Sequence, residues 1–384
     1  MTPPSADLLD DVDALDAGDP AGMLPAVASS AAQVREAAVL AGEADLARLT
    51  EEGRPRAVVV CGSGSAATAG DLLAAVAGTS SPVPLLVHRG PGLPAWVGPV
   101  DLVVAVSTSG TTPETLSALE EAVRRGCRLL VVSRAGSPLD DLGQRGRAVF
   151  VPVPPGRVSR ATLWAMTTPL LVAADALGLV AAPAAAVEQA AVRLEDVAER
   201  CRRDAEQVVN PAKRLAVHLS GASPLLWGTS PVTGAAARRF AAQLNVNAGV
   251  PAAWGVLPDA AHDQLATLDG PRAGGVRPAG DPSDFFRDRA DDVEQAGSLA
   301  LVLLRDLDEH PQTARTADGC AELARERSVP VAELLAEGEG PLPRLASLVG
   351  LTDFASTYLA LLEGTDPTAV GAVAALEQRA GRTG

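Results

Sequence analysis

The sequence predicts an α/β protein of two halves, each a parallel sheet covered by helices on both faces, with helical segments at the two ends. Three observations carry this. Short runs rich in Val and Leu recur at 57–61, 84–87, 102–106, 129–133 and 148–153. Helix-like segments separate most of them, and the alternation gives way to an Ala-rich helical stretch at about 161–208 before resuming. Continuous apolar strands alternating with helices belong to parallel sheets buried on both sides. A chain of 384 residues is long enough for two or three domains at roughly 150 residues each.

Taken in order, residues 1–53 read as a helical segment with an irregular stretch at 16–22 before Met23. Residues 54–180 form the first α/β half. Its clearest helix is 112–125, where Thr112 can cap, Pro113 suits the first helical position and Glu114 favours the positive end. A helical linker, 181–209, ends at Asn210-Pro211, which marks a break. The second half, 210–338, resumes the alternation with runs at 224–228, 252–256 and 299–304. The Gly-, Pro- and Arg-dense segment 270–283 reads as a loop, and 337–343 as another break. The tail, 339–384, reads as two helices split by Gly364-Thr365-Asp366-Pro367, and the two halves share a pattern without residue-level repetition.

Composition narrows the chemistry. The net charge of −15 argues against a nucleic-acid phosphate-backbone binder. A local anion site stays available, because backbone amides and single arginines build one inside an acidic protein. Lys213 is the only lysine, so any lysine chemistry would fall on it. With 47% hydrophobic and 3% aromatic residues, the cores must be built from Ala, Val and Leu. Residues 1–19 lack the basic-then-apolar order of a signal peptide. The apolar stretch 161–187 is interrupted by Pro169, Asp175 and Pro183, which suits a buried helix better than a membrane span. Cys61, Cys127, Cys201 and Cys320 are far apart and without metal-type spacing, the pattern of reduced thiols in the cytoplasm.

Two loops are placed for chemistry. Val58-Val59-Val60-Cys61-Gly62-Ser63-Gly64-Ser65 runs from strand to helix and presents amides and hydroxyls at a helix start, which favours an anion. Gly62 and Gly64 supply two glycines of the dinucleotide fingerprint, but Ala67 holds the third position and no acid follows at the expected distance. The match to that fingerprint is partial, and a tight turn alone is the alternative. The second loop, Ser107-Thr108-Ser109-Gly110-Thr111-Thr112-Pro113-Glu114-Thr115, places five hydroxyls within 107–112, between an apolar strand and a helix. Hydroxyls and amides at the positive helix end can grip a phosphate monoester without lysine. The alternative is an ordinary Ser/Thr-rich turn.

This second loop resembles the Ser-x-Ser-Gly-x-Thr-x-Glu-Thr loop of sugar isomerase (SIS) domains. The chain as a whole resembles the bifunctional phosphoglucose/phosphomannose isomerase family. The match runs through Asp19-Pro20-x-Gly22-Met23, the loop 62–71, Asn210-Pro211-Ala212-Lys213, the segment 237–245, the segment 353–360 and Thr365-Asp366-Pro367. The resemblance implies two SIS domains, each a three-layer α/β/α sandwich, in a cytoplasmic homodimer. It implies a hexose 6-phosphate substrate and no cofactor, metal, nucleic-acid or membrane partner. The implied reaction interconverts glucose or mannose 6-phosphate and fructose 6-phosphate through a cis-enediol. Ser107, Ser109, Thr111 and Thr112 would hold the phosphate, and Gly62, Ser63 and Gly64 would contact the substrate. Arg160 matches the arginine that stabilises the intermediate's negative charge. His262 matches the histidine of ring opening, a role an imidazole can perform near neutral pH. His88, His218 and His310 match nothing.

Departures from the family pattern are equally specific. In Gln243-Leu244-Asn245-Val246-Asn247-Ala248-Gly249, Val246 stands where the family has its catalytic glutamate and Gly249 where it has a lysine. The family's C-terminal lysine falls on Glu377. Three readings follow: an isomerase whose base is relocated to Asp259, Asp263 or Glu377; a non-catalytic sugar-phosphate sensor or regulatory subunit; and an unrelated nucleotide-binding enzyme.

Overall fold

The computed structural model of the chain describes residues 6–273 and 298–379. The chain folds into two compact units, each assembled from separated stretches. One comprises 21–196 with 338–346 and 368–384; the other comprises 1–20 with 197–337 and 347–367. The short helix α1 (Val12–Gly18) belongs to the latter, while α2 (Met23–Ala28), α3 (Ser30–Glu43) and α4 (Ala47–Thr50) open the former.

The unit containing residues 21–196 holds a five-stranded parallel sheet in the order β2-β1-β3-β4-β5. Its strands are β1 (Val58–Cys61), β2 (Leu85–His88), β3 (Leu102–Ser107), β4 (Arg128–Ser133) and β5 (Val149–Pro152). Every residue of β1 and β3 is buried, as runs without polar alternation require of central parallel strands. Alternate side chains serve two cores. Val58 and Val104 face Leu73 of α5 (Ser65–Ala77). Val59, Val103 and Val131 face Ala118 and Leu119 of α6 (Pro113–Arg125) and Leu139 of α7 (Pro138–Arg145). The stretch expected to be one helical region is two helices, α8 (Leu163–Ala176) and α9 (Ala184–Arg200). Pro169 lies inside α8, which is buried against α5 and α3.

The other unit contains α10 (Pro211–Leu219) and a four-stranded parallel sheet in the order β7-β6-β8-β9. Here β6 is Ala222–Gly228, followed by α11 (Pro231–Gln243), β7 (Ala253–Val256), α12 (Asp259–Asp263), β8 (Ser298–Arg305), α13 (Pro311–Glu326) and β9 (Val331–Leu335). Leu301 and Leu303 pack against Ala317, Ala321 and Ala324 of α13 on one face, and α11 covers the other. Strand β9 has no counterpart in the sequence prediction. It is a half-exposed edge strand interrupted by Glu333, so it lacks the continuous apolar run that marks β8. The expected loop at 270–283 is a turn over 270–273, and 274–283 lies outside the described residues.

The tail forms α14 (Pro341–Leu362) and α15 (Gly371–Arg379), split where the Gly364 to Pro367 segment predicts. Among the described residues, α14 alone is long and apolar enough to cross a membrane. Its apolar window is 94% buried inside the protein, so it reads as a core helix.

Candidate functional site

Strand β1 pairs with β2 on one side and β3 on the other, so successive connections leave the sheet toward opposite faces at this point. Helix α5, which follows β1, lies with α8, whereas α6, which follows β3, packs on the opposite core with α7. The carboxyl ends of β1 and β3 therefore flank the crevice where doubly wound sheets bind ligands. Both loops singled out in the sequence, 62–64 and 107–112, emerge there.

The hydroxyl loop is held by its own side chains. Ser107, 2% exposed, accepts a hydrogen bond from the Gly110 amide at 3.0 Å and lies 2.9 Å from the Thr112 hydroxyl. The Thr111 hydroxyl and amide both donate to Ser109 Oγ, at 2.9 and 3.3 Å. Thr112 does not cap α6 as the sequence predicts. It occupies the N-cap position without a side-chain cap bond, because its hydroxyl is turned toward Ser107. Ser109 and Thr111 are exposed and Thr112 half-buried, so these three hydroxyls form the accessible rim and Ser107 the support beneath it.

A second layer went unnoticed in the sequence. Ser133, beside Ser107 in the β3–β4 register, donates to the Ser107 carbonyl at 2.7 Å and lies 3.3 Å from Ser137 Oγ. Ser137 caps α7 by accepting from the Asp140 amide, and Leu139 donates its amide to the Gly110 carbonyl at 3.1 Å. Gly110 has φ +70°, and a Cβ there would lie 2.1 Å from Ser137 Oγ. The Ser137-Pro138-Leu139-Asp140 capping pattern was readable as a helix start. Its contact with the loop was not.

At the other loop, Gly62 is buried and its amide donates to the His88 carbonyl at 3.2 Å. Ser63 is half-buried and its carbonyl accepts from the Ala66 amide. Gly64, at φ +56° and ψ −127°, opens α5 in a conformation suited to glycine, with no side-chain cap. In the other unit the equivalent crevice, between β6 and β8, is furnished differently. Ser230 Oγ donates to Asp306 Oδ2 at 2.5 Å, and the Asp306 amide donates to Thr229 Oγ1 at 3.1 Å. A buried carboxylate stands at that switch point, so the hydroxyl loop after β3 is the more favourable anion site.

Known proteins resemble this chain in sequence and in fold. Residues 208–379 match the family of bacterial phospho-glucose isomerase C-terminal SIS domains. The bifunctional phosphoglucose/phosphomannose isomerase of Caldicellulosiruptor bescii is 29% identical over 84% of this chain and 88% of its own length. The chain is thus similar to bifunctional phosphoglucose/phosphomannose isomerases over most of its length. A second such relative, from Aquifex aeolicus, is 26% identical over 84% of this chain and 90% of its own. The fold is also that of a glucose-6-phosphate isomerase from Chlamydia trachomatis, with TM-score 0.68, 11% identity and coverage of 98% of this chain and 84% of that one.

Against the phosphoglucose/phosphomannose isomerase pattern, the remaining residues fall as follows. Arg160 lies on a short turn, Ser159–Ala161, between β5 and α8, and its Nη2 donates to the Ala369 carbonyl at 2.8 Å. His262 is exposed on α12 with Asp259 and Asp263, and it lines an open cavity of about 300 Å³ with Leu265, Asp269 and Arg327. These two residues belong to different units. Val246, 42% exposed, lies on a π-helical turn, Leu244–Ala248, a local geometry that recurs at functional sites. The turn is pinned by Asn245, which accepts from the Ala252 amide at 3.1 Å, and by Asn247, which donates to Ser356 Oγ at 3.0 Å. Glu377 falls within α15, and its side chain lies outside the described residues.

Lys213 is structural. Its side chain is 1% exposed, and its ammonium donates to the carbonyls of Arg203 and Ala205 at 2.8 and 2.7 Å and to Asp10 Oδ1 at 3.4 Å and sits over the Tyr358 ring. Burial lowers its pKa below the ordinary lysine value. His310 caps α13 by accepting from the Gln312 amide. Burial pushes the Cys61 and Cys201 thiols up to about 12, and all four cysteines are free and buried.

Proposed function

We propose that this chain is an aldose–ketose isomerase that interconverts glucose or mannose 6-phosphate with fructose 6-phosphate through a cis-enediol. The observation that supports it most is the rim of Ser109, Thr111 and Thr112 at the β1/β3 switch point, built on Ser107 and buttressed by Ser133 and Ser137. A phosphate monoester suits that loop, because it accepts many hydrogen bonds and carries the charge a helix start favours. In this reading Gly62, Ser63 and Gly64 line the sugar side of the crevice. His262 passes the proton between ring oxygen and O1 on opening. A base removes the C2 proton and returns it to C1, while Arg160 stabilises the negative charge of the enediolate. Valine cannot serve as that base, so the proton falls to Asp259, Asp263 or Glu377. The reading includes a cytoplasmic homodimer that works without a cofactor.

Two measurements test it. Calorimetry with glucose 6-phosphate should register a loss of affinity of about tenfold or more when Ser109→Ala and Thr112→Val are combined; unchanged affinity removes the loop from the site. Exchange of the C2 proton of glucose 6-phosphate in deuterated water should be catalysed and should disappear in His262→Ala. Tight binding with no exchange would make the chain a sugar-phosphate sensor, and binding of a nucleotide in place of the sugar would overturn both.

A further inference from the structure

A cavity of about 330 Å³ lies within the unit that holds the five-stranded sheet, between α2, the start of α3 and the segment 156–161 that follows β5. Strand order puts β5 two strands from β3, roughly 10 Å across the sheet. The cavity shares no lining residue with the loops at 62–64 and 107–112. It has far more room than a single water needs and reaches the size at which small-molecule pockets begin.

Two buried polar atoms of its lining residues have no partner. Gln33, 1% exposed, lines the cavity with Ser29 and Ala161. Both hydrogens of its Nε2 go to these neighbours, to the Ala161 carbonyl at 2.8 Å and to Ser29 Oγ at 3.1 Å. The amide cannot be turned over, because Oε1 would then face the Ala161 carbonyl. Oε1 is thereby fixed as an acceptor at the cavity wall, and it is buried without a partner. Arg157, from the segment opposite the helices, has a buried and unpartnered Nε, while its Nη2 pairs with Glu36. Buried polar groups are normally hydrogen-bonded, so two exceptions on one cavity point to a ligand's groups.

Their chemistry narrows the ligand. Gln33 Oε1 needs a donor and Arg157 Nε an acceptor, and a hydroxyl is both. Glu36 offsets the charge of Arg157, and no other charged side chain lines the cavity among the described residues, so nothing there favours a charged ligand. Ala21, Pro25, Ala26 and Val158 add an aliphatic wall with no ring for stacking. Such a wall suits the C–H face of a saturated polyol better than an aromatic base.

We propose that this cavity is a second, phosphate-free sugar site, which takes a neutral sugar or polyol on Gln33 Oε1 and Arg157 Nε and acts on the turn that carries Arg160. Val158 and Ala161, on either side of Arg160, are cavity wall, and the Gln33 amide that meets the ligand is the one that holds the Ala161 carbonyl. Occupancy steadies that amide and with it the turn. The binding stands apart from the isomerase reading, and the coupling rests on that reading.

Saturation-transfer NMR on the full-length chain tests the binding, with glucose and glucitol as probes, before and after glucose 6-phosphate is added to fill the crevice. Both probes should bind saturably with a dissociation constant of about 1–10 mM, the scale expected of a ligand of a dozen or so heavy atoms. Ala26→Phe, which fills the cavity, should abolish the signal. Gln33→Met, which removes the fixed acceptor, should weaken binding about fivefold or more. Thermal melting checks that the variants fold, and either one suffices. No saturable signal up to about 50 mM, unchanged affinity in a folded variant, or loss of the signal on adding glucose 6-phosphate overturns the proposal. The coupling is read from kcat with fructose 6-phosphate, which glucose should raise about twofold or more in wild type and leave unchanged in Ala26→Phe. Binding with no change of rate overturns the coupling and keeps the site. A chain that binds both probes but catalyses no isomerisation overturns the reading above and not the site.

Discussion

Replacing Gly110 by alanine probes the hydroxyl loop at its tightest point. The residue has φ +70°, where a Cβ costs about 1–2 kcal/mol. The added methyl would also lie 2.1 Å from Ser137 Oγ, 2.3 Å from Ser137 Cβ and 2.7 Å from Ser133 Oγ. Those atoms have little freedom to retreat. Ser137 is 1% exposed and caps α7, Ser133 is fully buried, and the Leu139 amide ties α7 to the Gly110 carbonyl. Overpacking of this kind costs about 1–3 kcal/mol, so the whole perturbation comes to roughly 2–5 kcal/mol. It should divide between lower stability in urea and weaker calorimetric binding of glucose 6-phosphate. At about 1.4 kcal/mol per factor of ten, even half of it in the loop means about a 5- to 60-fold loss of affinity. Adding Ser137→Gly removes the two closest contacts but leaves the Ser133 contact, the backbone cost and the lost α7 cap, so it should recover only part of the overpacking share. If Gly110→Ala keeps its urea midpoint and binds the sugar phosphate within twofold of wild type, the loop is not the rigid cradle described.

Other expectations follow from particular residues. Val246→Glu places a carboxylate on a turn where the side chain is 42% exposed, so folding should be little affected and C2 proton exchange should rise by about 10²- to 10⁴-fold; no gain in a folded variant would show that position 246 is not a mount for the base. Arg239 and Asp353, 1% and 5% exposed, pair through two contacts of 3.0 Å. Arg239→Ala should cost about 3–5 kcal/mol in urea titrations by stranding the carboxylate, and pairing it with Asp353→Leu should recover much of that. His218 has a pKa lowered below the ordinary 6.5 by burial, and its Nε2 is buried without a partner. As pH falls through 6.5 the unfolded chain takes up this proton before the folded one does. His218 stabilisation is therefore complete above 6.5 and is lost as pH falls toward the folded-state pKa. Urea midpoints from pH 8 to 5 should fall more steeply for wild type than for His218→Leu, and parallel curves would refute the assignment.

Legibility in the sequence follows burial. β1, β3 and β8 were readable because central parallel strands carry a continuous apolar run, with polar residues only at their ends, and β9 was not, because an exposed edge tolerates Glu333. The hydroxyl loop was readable because its residues are contiguous and lie between a strand and a helix. Its support was not, since Ser133 and Ser137 become neighbours of Ser107 only through the β3–β4 register. Capping by Thr112 was the local expectation, and a longer-range partner, Ser107, took its hydroxyl instead.

The resemblance to the isomerases set Val246 where they have a glutamate, and from the sequence alone came the class of fold, a loop suited to a phosphate, and the demand that any lysine chemistry rest on Lys213. Each of these is a statement about residue type at a position, which periodicity and spacing preserve. Tertiary structure decided what those residues do for one another. It made Lys213 a buried strut, since two carbonyls and a ring close around its ammonium. It divided the loop's hydroxyls into a support and a rim, and it brought a carbonyl from the far end of the chain onto Arg160. Such contacts depend on distance in space, and a linear pattern carries no measure of that until the backbone has closed on itself.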